Sequence, residues 1–411
     1  MRHPDYREIS KRFRRTSLWR DEEPLSFAAE GFDLYNLSYH SAHAHYLLGL
    51  TAYHCPEHGL SFDGETTAQC PTDAVIENNN HFRYPLVCIR RSSERVRRQQ
   101  RVVILLHGLN ERSFTKYIPW AYHVGMQTGS AVLLFPLTFH INRVLPDWGR
   151  SQEEIYARRR GIEGNENTHR FNAVISERLG EHPERFFWGA IQSYWDLVDL
   201  LRSIRTGRHP LIARDARVDL LGYSAGGYVA LALLLGDYEG LFGDGRGVIF
   251  ASCATVRDTN LSSHLIVDHM AEVSLMKLFV KYRDRLSNGR LKHWLDHHAE
   301  GRWFNAFCGL NPKHAALELR LKELASRLLG IANLNDQVMP PGAMLNALQG
   351  IRRDTGVRVE ELELGIHENP FACQDYSARD RSLMTDFFDP ERYGASFELF
   401  IGKIVDHLSR N

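Results

Sequence analysis

From Phe82 onward the chain alternates short apolar runs with longer amphipathic ones. Phe82–Ile89, Val102–Leu106, Ala131–Phe135, Val218–Gly222, Val248–Ala251 and Leu328–Ala332 are dominated by apolar residues, and Val357–Leu364 also reads as a strand. Runs of this length read as strands buried on both faces. Between them, residues 114–126, closed by Gly129, read as a helix. Trp188–Ile204 places Ile191, Tyr194, Trp195, Val198 and Leu201 at helical spacing, and Phe397–Leu408 is amphipathic. Two long segments break the rhythm. Residues 138–186 are polar and irregular with short helical patches, and residues 255–325 read as helical. Apolar strands alternating with helices predict an α/β protein with a mostly parallel central sheet and helices on both faces. The first hundred residues are the least regular. They are rich in aromatic residues and histidine, which predicts that they fold rather than dangle.

A chain of 411 residues has room for one large α/β domain with insertions or for two ordinary domains. Its 50 Lys+Arg cancel its 50 Asp+Glu, so no global field favours nucleic acid or an anionic membrane. The basic runs Arg90-Arg91 and Arg95-Val96-Arg97-Arg98 read as solvated turn residues. The longest apolar runs are too short to span a bilayer. The charged start, Met1–Glu8, does not read as a secretory signal. Cys55, Cys70, Cys88, Cys253, Cys308 and Cys373 are scattered without a Cys-x-x-Cys, and Cys88 and Cys253 sit in apolar, strand-like runs. These features together predict reduced thiols and a cytoplasmic protein.

The chemistry concentrates at Gly222-Tyr223-Ser224-Ala225-Gly226. An apolar run leads into this Gly-x-Ser-x-Gly, and the Ala/Leu-rich run Tyr228–Leu235 follows at once. A strand, a sharp turn and a helix in that order lift a serine out of a sheet and aim backbone N–H groups at whatever it attacks. The plain alternative is a glycine-rich turn with a surface serine. A serine hydroxyl needs a histidine base, and that base needs a third group to orient it. Asp336 follows the strand at 328–332 and His367 follows the strand at 357–364, so the order Ser224, Asp336, His367 fits such a triad. Asp258, beyond the strand at 248–251, is the competing acid. The N–H groups of Ala225 and Leu109, the latter in the loop that begins His107-Gly108, are the expected donors to an oxyanion.

On these residues, together with the Asp336-Gln337-Val338-Met339-Pro340 loop, the chain resembles the α/β-hydrolase superfamily over roughly residues 82–410. That resemblance implies Ser224 as nucleophile, Asp336 as acid, His367 as base, and Leu109 and Ala225 as oxyanion donors. Two segments depart from the expected pattern: 138–186 is long for its place, and the lead-in before residue 82 exceeds the usual one. The expected division is an N-terminal extension (1–81), a hydrolase core (82–254 and 326–411) and a helical cap inserted at 255–325. The expected activity is hydrolysis of a small-molecule carboxylic ester or thioester through an acyl-serine, with no cofactor. Acyl transfer, peptidase or amidase action on the same triad remains open, as does a non-catalytic binding protein of the same fold. A homo-oligomer is also open.

Secondary signals surround this core. The loop 135–143 starts at a strand end, so Tyr117, His140 and Arg143, with Tyr223, are candidates to face substrate. Arg143 can bind a carboxylate or pair with a nearby acid. The insertion carries Leu265, Ile266, Met270, Leu275, Met276, Leu278 and Phe279, with Trp294, Trp303, Phe304 and Phe307, an expected apolar underside. Two histidine clusters stand out: His40, His43, His45, His54, Cys55 and His58, and then His293, Asp296, His297 and His298. Neither has a defined ligand pattern, and no metal is assigned to either.

Overall fold

The computed structural model describes residues 25–27, 31–48, 53–62, 73–90, 98–144, 151–283, 289–307, 314–350, 352–368, 370–371 and 390–410. Met1–Glu8, Cys70, Arg91, Arg95, Arg97, Cys308, Asn369 and Cys373 lie outside the described residues. The strands are β1 (Leu25–Phe27), β2 (Phe32–His40), β3 (Tyr53–Cys55), β4 (Leu60–Phe62), β5 (His81–Ile89), β6 (Gln99–Leu106), β7 (Ala131–Phe135), β8 (Ile212–Tyr223), β9 (Gly247–Phe250), β10 (Leu328–Asn333) and β11 (Arg358–Leu362). β3 and β4 form a separate hairpin. The other nine make one sheet in the order β1-β2-β5-β7-β6-β8-β9-β10-β11. The six strands from β7 to β11 in that order run parallel, whereas β1, β2 and β5 pair antiparallel.

The chain enters the parallel sheet at β6, steps outward to β7, then returns across β6 to β8. The strand order reverses between β6 and β8, the place where open parallel sheets hold their ligands. An antiparallel strand ahead of a swapped pair, with the parallel run continuing from β8 to β11, is the strand order of the α/β-hydrolase fold.

The apolar runs form strands because both of their faces are covered. Val102, Ile104 and Leu106 of β6 point into one cluster with Val218, Leu220 and Ile249, while Val103 and Leu105 point into the other with Leu221, Val248 and Phe250. That is the period-two alternation of a strand, with apolar residues at both phases. One face is covered by α1 (Ile118–Thr128) and the terminal helix, residues 390–408, through Trp120, Phe397 and Phe400. The opposite face meets the long helix Arg185–Arg205 and the helix Ala225–Gly236.

The lead-in is less separate from the core than the division at 81/82 implies. β2 pairs with β5 along its whole length, from Phe32↔Ile89 to His40↔His81. The pattern hid β2 because this strand, Phe-Asp-Leu-Tyr-Asn-Leu-Ser-Tyr-His, is only partly buried beyond Leu34 and mixes polar residues among the apolar ones. Among the described residues, the 138–186 segment contains helices Gln152–Arg160 and Ala173–Glu181, and the 255–325 segment contains His269–Arg283, Arg290–His297, Ala299–Phe307 and His314–Leu324. A buried charge network joins the two segments, with Arg159 donating to Asp268 (2.6 Å) and Glu177 (3.0 Å). Among the described residues, no helix is long and apolar enough to cross a membrane.

The buried His209 is held neutral on this scaffold. Burial, with Arg98 nearby, pushes the His209 imidazole down to about 4 from its ordinary 6.5. Its Nδ1 accepts from the amides of Leu211 (3.2 Å) and Ile212 (3.0 Å), which requires that nitrogen to carry no proton. The unfolded chain therefore takes up a proton at His209 through a window, between about 6.5 and about 4, in which the folded chain stays neutral. Stability is complete above that window and falls as pH drops through it. We expect the urea midpoint to fall over that range, and His209→Gln to flatten the slope by at most about 1.4 kcal/mol per pH unit. An unaltered slope in the variant would refute this assignment.

Candidate active site

Ser224 sits between β8 and the helix Ala225–Gly236 at φ 50°, ψ −120°, a conformation costly for any residue with a side chain. Three bonds hold it there. The Ser224 N–H donates to Phe250 O (3.0 Å), the Gly226 N–H to His107 O (2.9 Å), and the Ser252 hydroxyl to Ser224 O (2.5 Å). The turn also needs bare backbone. A Cβ on Gly226 would lie 2.4 Å from Leu106 O, and one on Gly222 would lie 2.6 Å from Gly226 O. The end of β8 and the start of the helix thus pass one another and the end of β6 at a spacing that only glycine allows.

The serine hydroxyl donates to Nε2 of His367 (2.9 Å), and Nδ1–H of the same ring donates to Oδ2 of Asp336 (2.7 Å). Ser224, Asp336 and His367 are buried. The other carboxylate oxygen of Asp336 accepts from the amides of Val338 (2.9 Å) and Met339 (2.7 Å), so both oxygens are committed and the carboxylate cannot swing away. The imidazole stacks on Tyr223 with ring centroids 5.5 Å apart, and the Tyr223 hydroxyl donates to the His367 carbonyl. Asp258 is exposed and accepts from Thr255 (2.5 Å), so it is not the histidine's partner.

Two cavities flank the loop Leu109–Arg112 near this relay. One, of about 160 Å³, is lined by Ser224, His367, Leu109, Leu265 and Ile266 among others. The second, of about 360 Å³, is lined by Ala225, Leu137, Phe139, Phe187, Val229 and Phe304 and is mainly apolar. Residues Leu109–Arg112 belong to both walls. Ala225 is the first residue of its helix, where N–H groups have no intrahelical acceptor. His140 borders the larger cavity. Its Nδ1–H donates to Thr138 O (2.8 Å), its Nε2 is buried without a hydrogen-bond partner, and burial pushes its pKa down to about 4. It is therefore a neutral ring offering an acceptor.

The other candidates for substrate contact are placed differently. Tyr117 is fully buried and borders neither cavity; its hydroxyl donates to Glu111 (2.8 Å) and accepts from the Gly108 N–H (3.1 Å). It braces the loop after β6 from behind. Arg143 is also fully buried, donating to Asp196 (2.9 Å) and to Pro136 O (3.1 Å). The paired-arginine alternative is the correct one, because a guanidinium with no solvent access needs an internal counter-charge. Tyr223 borders the smaller pocket, but its hydroxyl is spent on the His367 backbone.

A model for a family of unknown function (DUF6051) matches residues 5–397. The chain belongs to the DUF6051 family. No curated protein matches the sequence. Similar solved structures include a thermostable esterase from Pseudomonas putida, at 11% identity over 100% of this chain and 92% of that chain with a TM-score of 0.46. Another is carboxyl esterase 2 from Tuber melanosporum, at 13% identity over 80% and 82% with a TM-score of 0.39. Likeness at this level says nothing about activity, and the strand order itself assigns the fold.

In this DUF6051 chain several residues with structural roles at the site carried no motif. Asn333 ends β10, accepts from the amides of Asn335 (3.1 Å) and Leu364 (3.2 Å), and donates to Gly365 O (2.6 Å). It ties the Asp336 loop to the His367 loop. Asn110, at φ 62°, donates to Phe171 O and Leu265 O (2.8 Å each) and so pins both long segments to the loop after β6. An Asn at a strand end was the only signal available for either.

The elbow geometry gives a direct test. Gly226→Ala places a methyl group against backbone that cannot move alone, and overpacking of this kind costs about 1–3 kcal/mol or more. We expect a lowered urea midpoint and a displaced Ser224, whereas Gly402→Ala, where nothing lies within 4 Å of the added Cβ, leaves the midpoint near its starting value.

Proposed function

We propose that this protein is a serine hydrolase that cleaves a small carboxylic ester or thioester. The observation that carries this reading is the relay Ser224–His367–Asp336, with hydrogen bonds of 2.9 and 2.7 Å, its serine and histidine lining a cavity. In this reading Ser224 attacks the acyl carbon while His367 Nε2 takes its proton. Asp336 holds the imidazole tautomer and stabilises the imidazolium. The amides of Ala225 and Leu109 donate to the oxyanion. His367 returns the proton to the leaving alcohol or thiol, and water, activated by the same ring, releases the acid from the acyl-serine.

The cavities suggest how substrate lies. The larger one falls within the roughly 300–1,000 Å³ of small-molecule sites, and its apolar lining beside Ala225 suits the acyl chain. The smaller pocket beside His367 suits the leaving group, because the proton is delivered there. The unpartnered Nε2 of His140 is placed to accept from a hydroxyl or amide on the acyl part. The 255–325 segment supplies Leu265, Ile266 and Phe304 to the two walls and would act as a cap that limits water.

A fluorophosphonate probe should label the wild-type chain and fail to label Ser224→Ala. With p-nitrophenyl esters we expect kcat/KM to rise from acetyl to hexanoyl as the larger cavity fills. Ser224→Ala should lower kcat by about 10⁶-fold. A folded wild-type protein that neither reacts with the probe nor turns over any ester of the series would favour a binding role for the same fold.

Asp336→Asn separates orientation from packing. It keeps the shape of the side chain but no longer stabilises the tautomer that places a lone pair toward Ser224. We expect a fall of about 10⁴-fold in kcat with folding unimpaired. Full activity in this variant would remove Asp336 from the relay.

A further inference from the structure

Members of the two histidine clusters, far apart in sequence, meet in space. Cys55 and His58 lie on the β3–β4 hairpin, and His293 and His298 lie on and just beyond the helix Arg290–His297. One ligand atom from each of the four falls within 4.8 Å of every other. Cys55 Sγ is 3.4 Å from His58 Nδ1 and 3.4 Å from His298 Nε2. We propose that Cys55, His58, His293 and His298 form a tetrahedral binding site for a zinc-type divalent ion, which fastens the hairpin to the 255–325 segment.

The dimensions suit that ion. With metal–sulfur bonds of about 2.3 Å and metal–nitrogen bonds of about 2.0–2.1 Å, tetrahedral angles set the S···N edges at roughly 3.5 Å. The donor set of one thiolate and three imidazoles is one that zinc takes and that calcium and magnesium do not. The surroundings have the features of a ligand shell. His298 turns Nε2 toward Cys55 and Nδ1 toward Glu57 (3.0 Å), the carboxylate–histidine arrangement that orients metal-bound imidazoles. Its ring is stacked on Trp294 with centroids 3.6 Å apart, which fixes its direction. His293 is 6% exposed, yet its Nε2 has no hydrogen-bond partner.

The hairpin needs such a fastening. It stands apart from the main sheet and is short, and a two-stranded hairpin is marginal alone. Between His54 and Phe62, Cys55 is the one buried residue. A cysteine as the sole buried side chain, facing three histidines, is a poor hydrophobic anchor and a good ligand. Binding would release the Cys55 thiol proton to solvent and form four metal–ligand bonds, with no redox change. With four protein ligands the site has no open position, so its role is structural. It is separate from the relay, since none of its residues lines either cavity there.

The test uses the full chain, purified without a histidine tag and without chelator. Elemental analysis should find about one equivalent of zinc per chain. The metal should be lost in Cys55→Ser and in His293→Ala but retained in Ser224→Ala. Removal by 1,10-phenanthroline should lower Tm, and added zinc should restore it. Cobalt added to the stripped wild-type chain should give the thiolate-to-cobalt charge-transfer band and the intense visible bands of a tetrahedral ion. That readout stands even if Cys55→Ser fails to fold. Metal below about a tenth of an equivalent together with no cobalt–thiolate band would overturn the proposal. So would a metal content undiminished in folded Cys55→Ser, which would mean adventitious binding to histidines.

Discussion

The rest of the site depends on a steric constraint: the end of β8, the end of β6 and the start of the following helix occupy nearly the same space. Gly226 passes Leu106 O at a distance that excludes a Cβ, and its N–H bonds to His107 O in the same approach. This contact sets the height of Ser224 above the sheet. It also fixes the loop after β6 relative to the serine, because His107 belongs to that loop. The strained φ of Ser224 is then held by the surrounding bonds rather than by local preference. The amides of Ala225 and Leu109 come from two elements locked by one contact, so they form a rigid pair.

The parts legible in the sequence were those whose physics is local or periodic. Strands buried on both faces announce themselves as continuous apolar runs, and β7 matches its run, Ala131–Phe135, residue for residue. The elbow was legible because glycine is demanded at fixed offsets around the serine. The pairing of Asp336 with His367 was legible because each lies in the loop that follows a parallel strand. What escaped notice has another character. β2 is fully buried only over Phe32–Leu34 and partly exposed beyond, so its apolar residues are diluted by polar ones. Arg143 and Tyr117 sit near the site in sequence, which makes them candidates to face it. Their direction depends on Asp196 and Glu111, partners that no periodicity points to. The meeting of Cys55 with His293 likewise depends on how two irregular segments dock.

Those irregular segments are coupled to the core by buried polar contacts as well as by apolar ones such as Leu179, Ile266, Leu275 and Phe304. Arg143 and Asp196 are both fully buried, and Asp196 also accepts from Ser41 (2.5 Å), so one carboxylate joins the lead-in, the long helix and the loop after β7. Asn79 accepts from Arg143 (3.0 Å) and donates to Gln192 (3.0 Å). Arg159 and Asp268 repeat the scheme between the two long segments. Such pairs add little net stability over apolar packing of the same volume, but breaking one leaves a buried charge and is costly. Their value is positional: an ion pair with directed hydrogen bonds tolerates fewer arrangements than a greasy interface. The loop 135–144, which carries Phe139 and Ile141 at positive φ and borders the larger cavity, is held by this scheme.

The shape of the cavity follows from the same placement. The loop Leu109–Arg112 separates two spaces and is fixed at three points: Gly226 through His107, Tyr117 through Gly108, and Asn110 through Phe171 and Leu265. A carbonyl held between Ala225 and Leu109 would therefore have its two substituents sorted, one toward the apolar space beside Val229 and the other toward His367. On the proposed reading this sorting is the basis of specificity. The acyl side is walled in part by both long segments, so on this reading its length preference is set by residues such as Phe187 and Phe304 on different elements. The leaving-group side is smaller and holds Lys116, whose Nζ donates to Glu368 O (3.1 Å) beside the imidazole. Discrimination among acyl groups would thus reside in the packing of the added segments, and the chemistry in the core sheet, so that one can vary without disturbing the other.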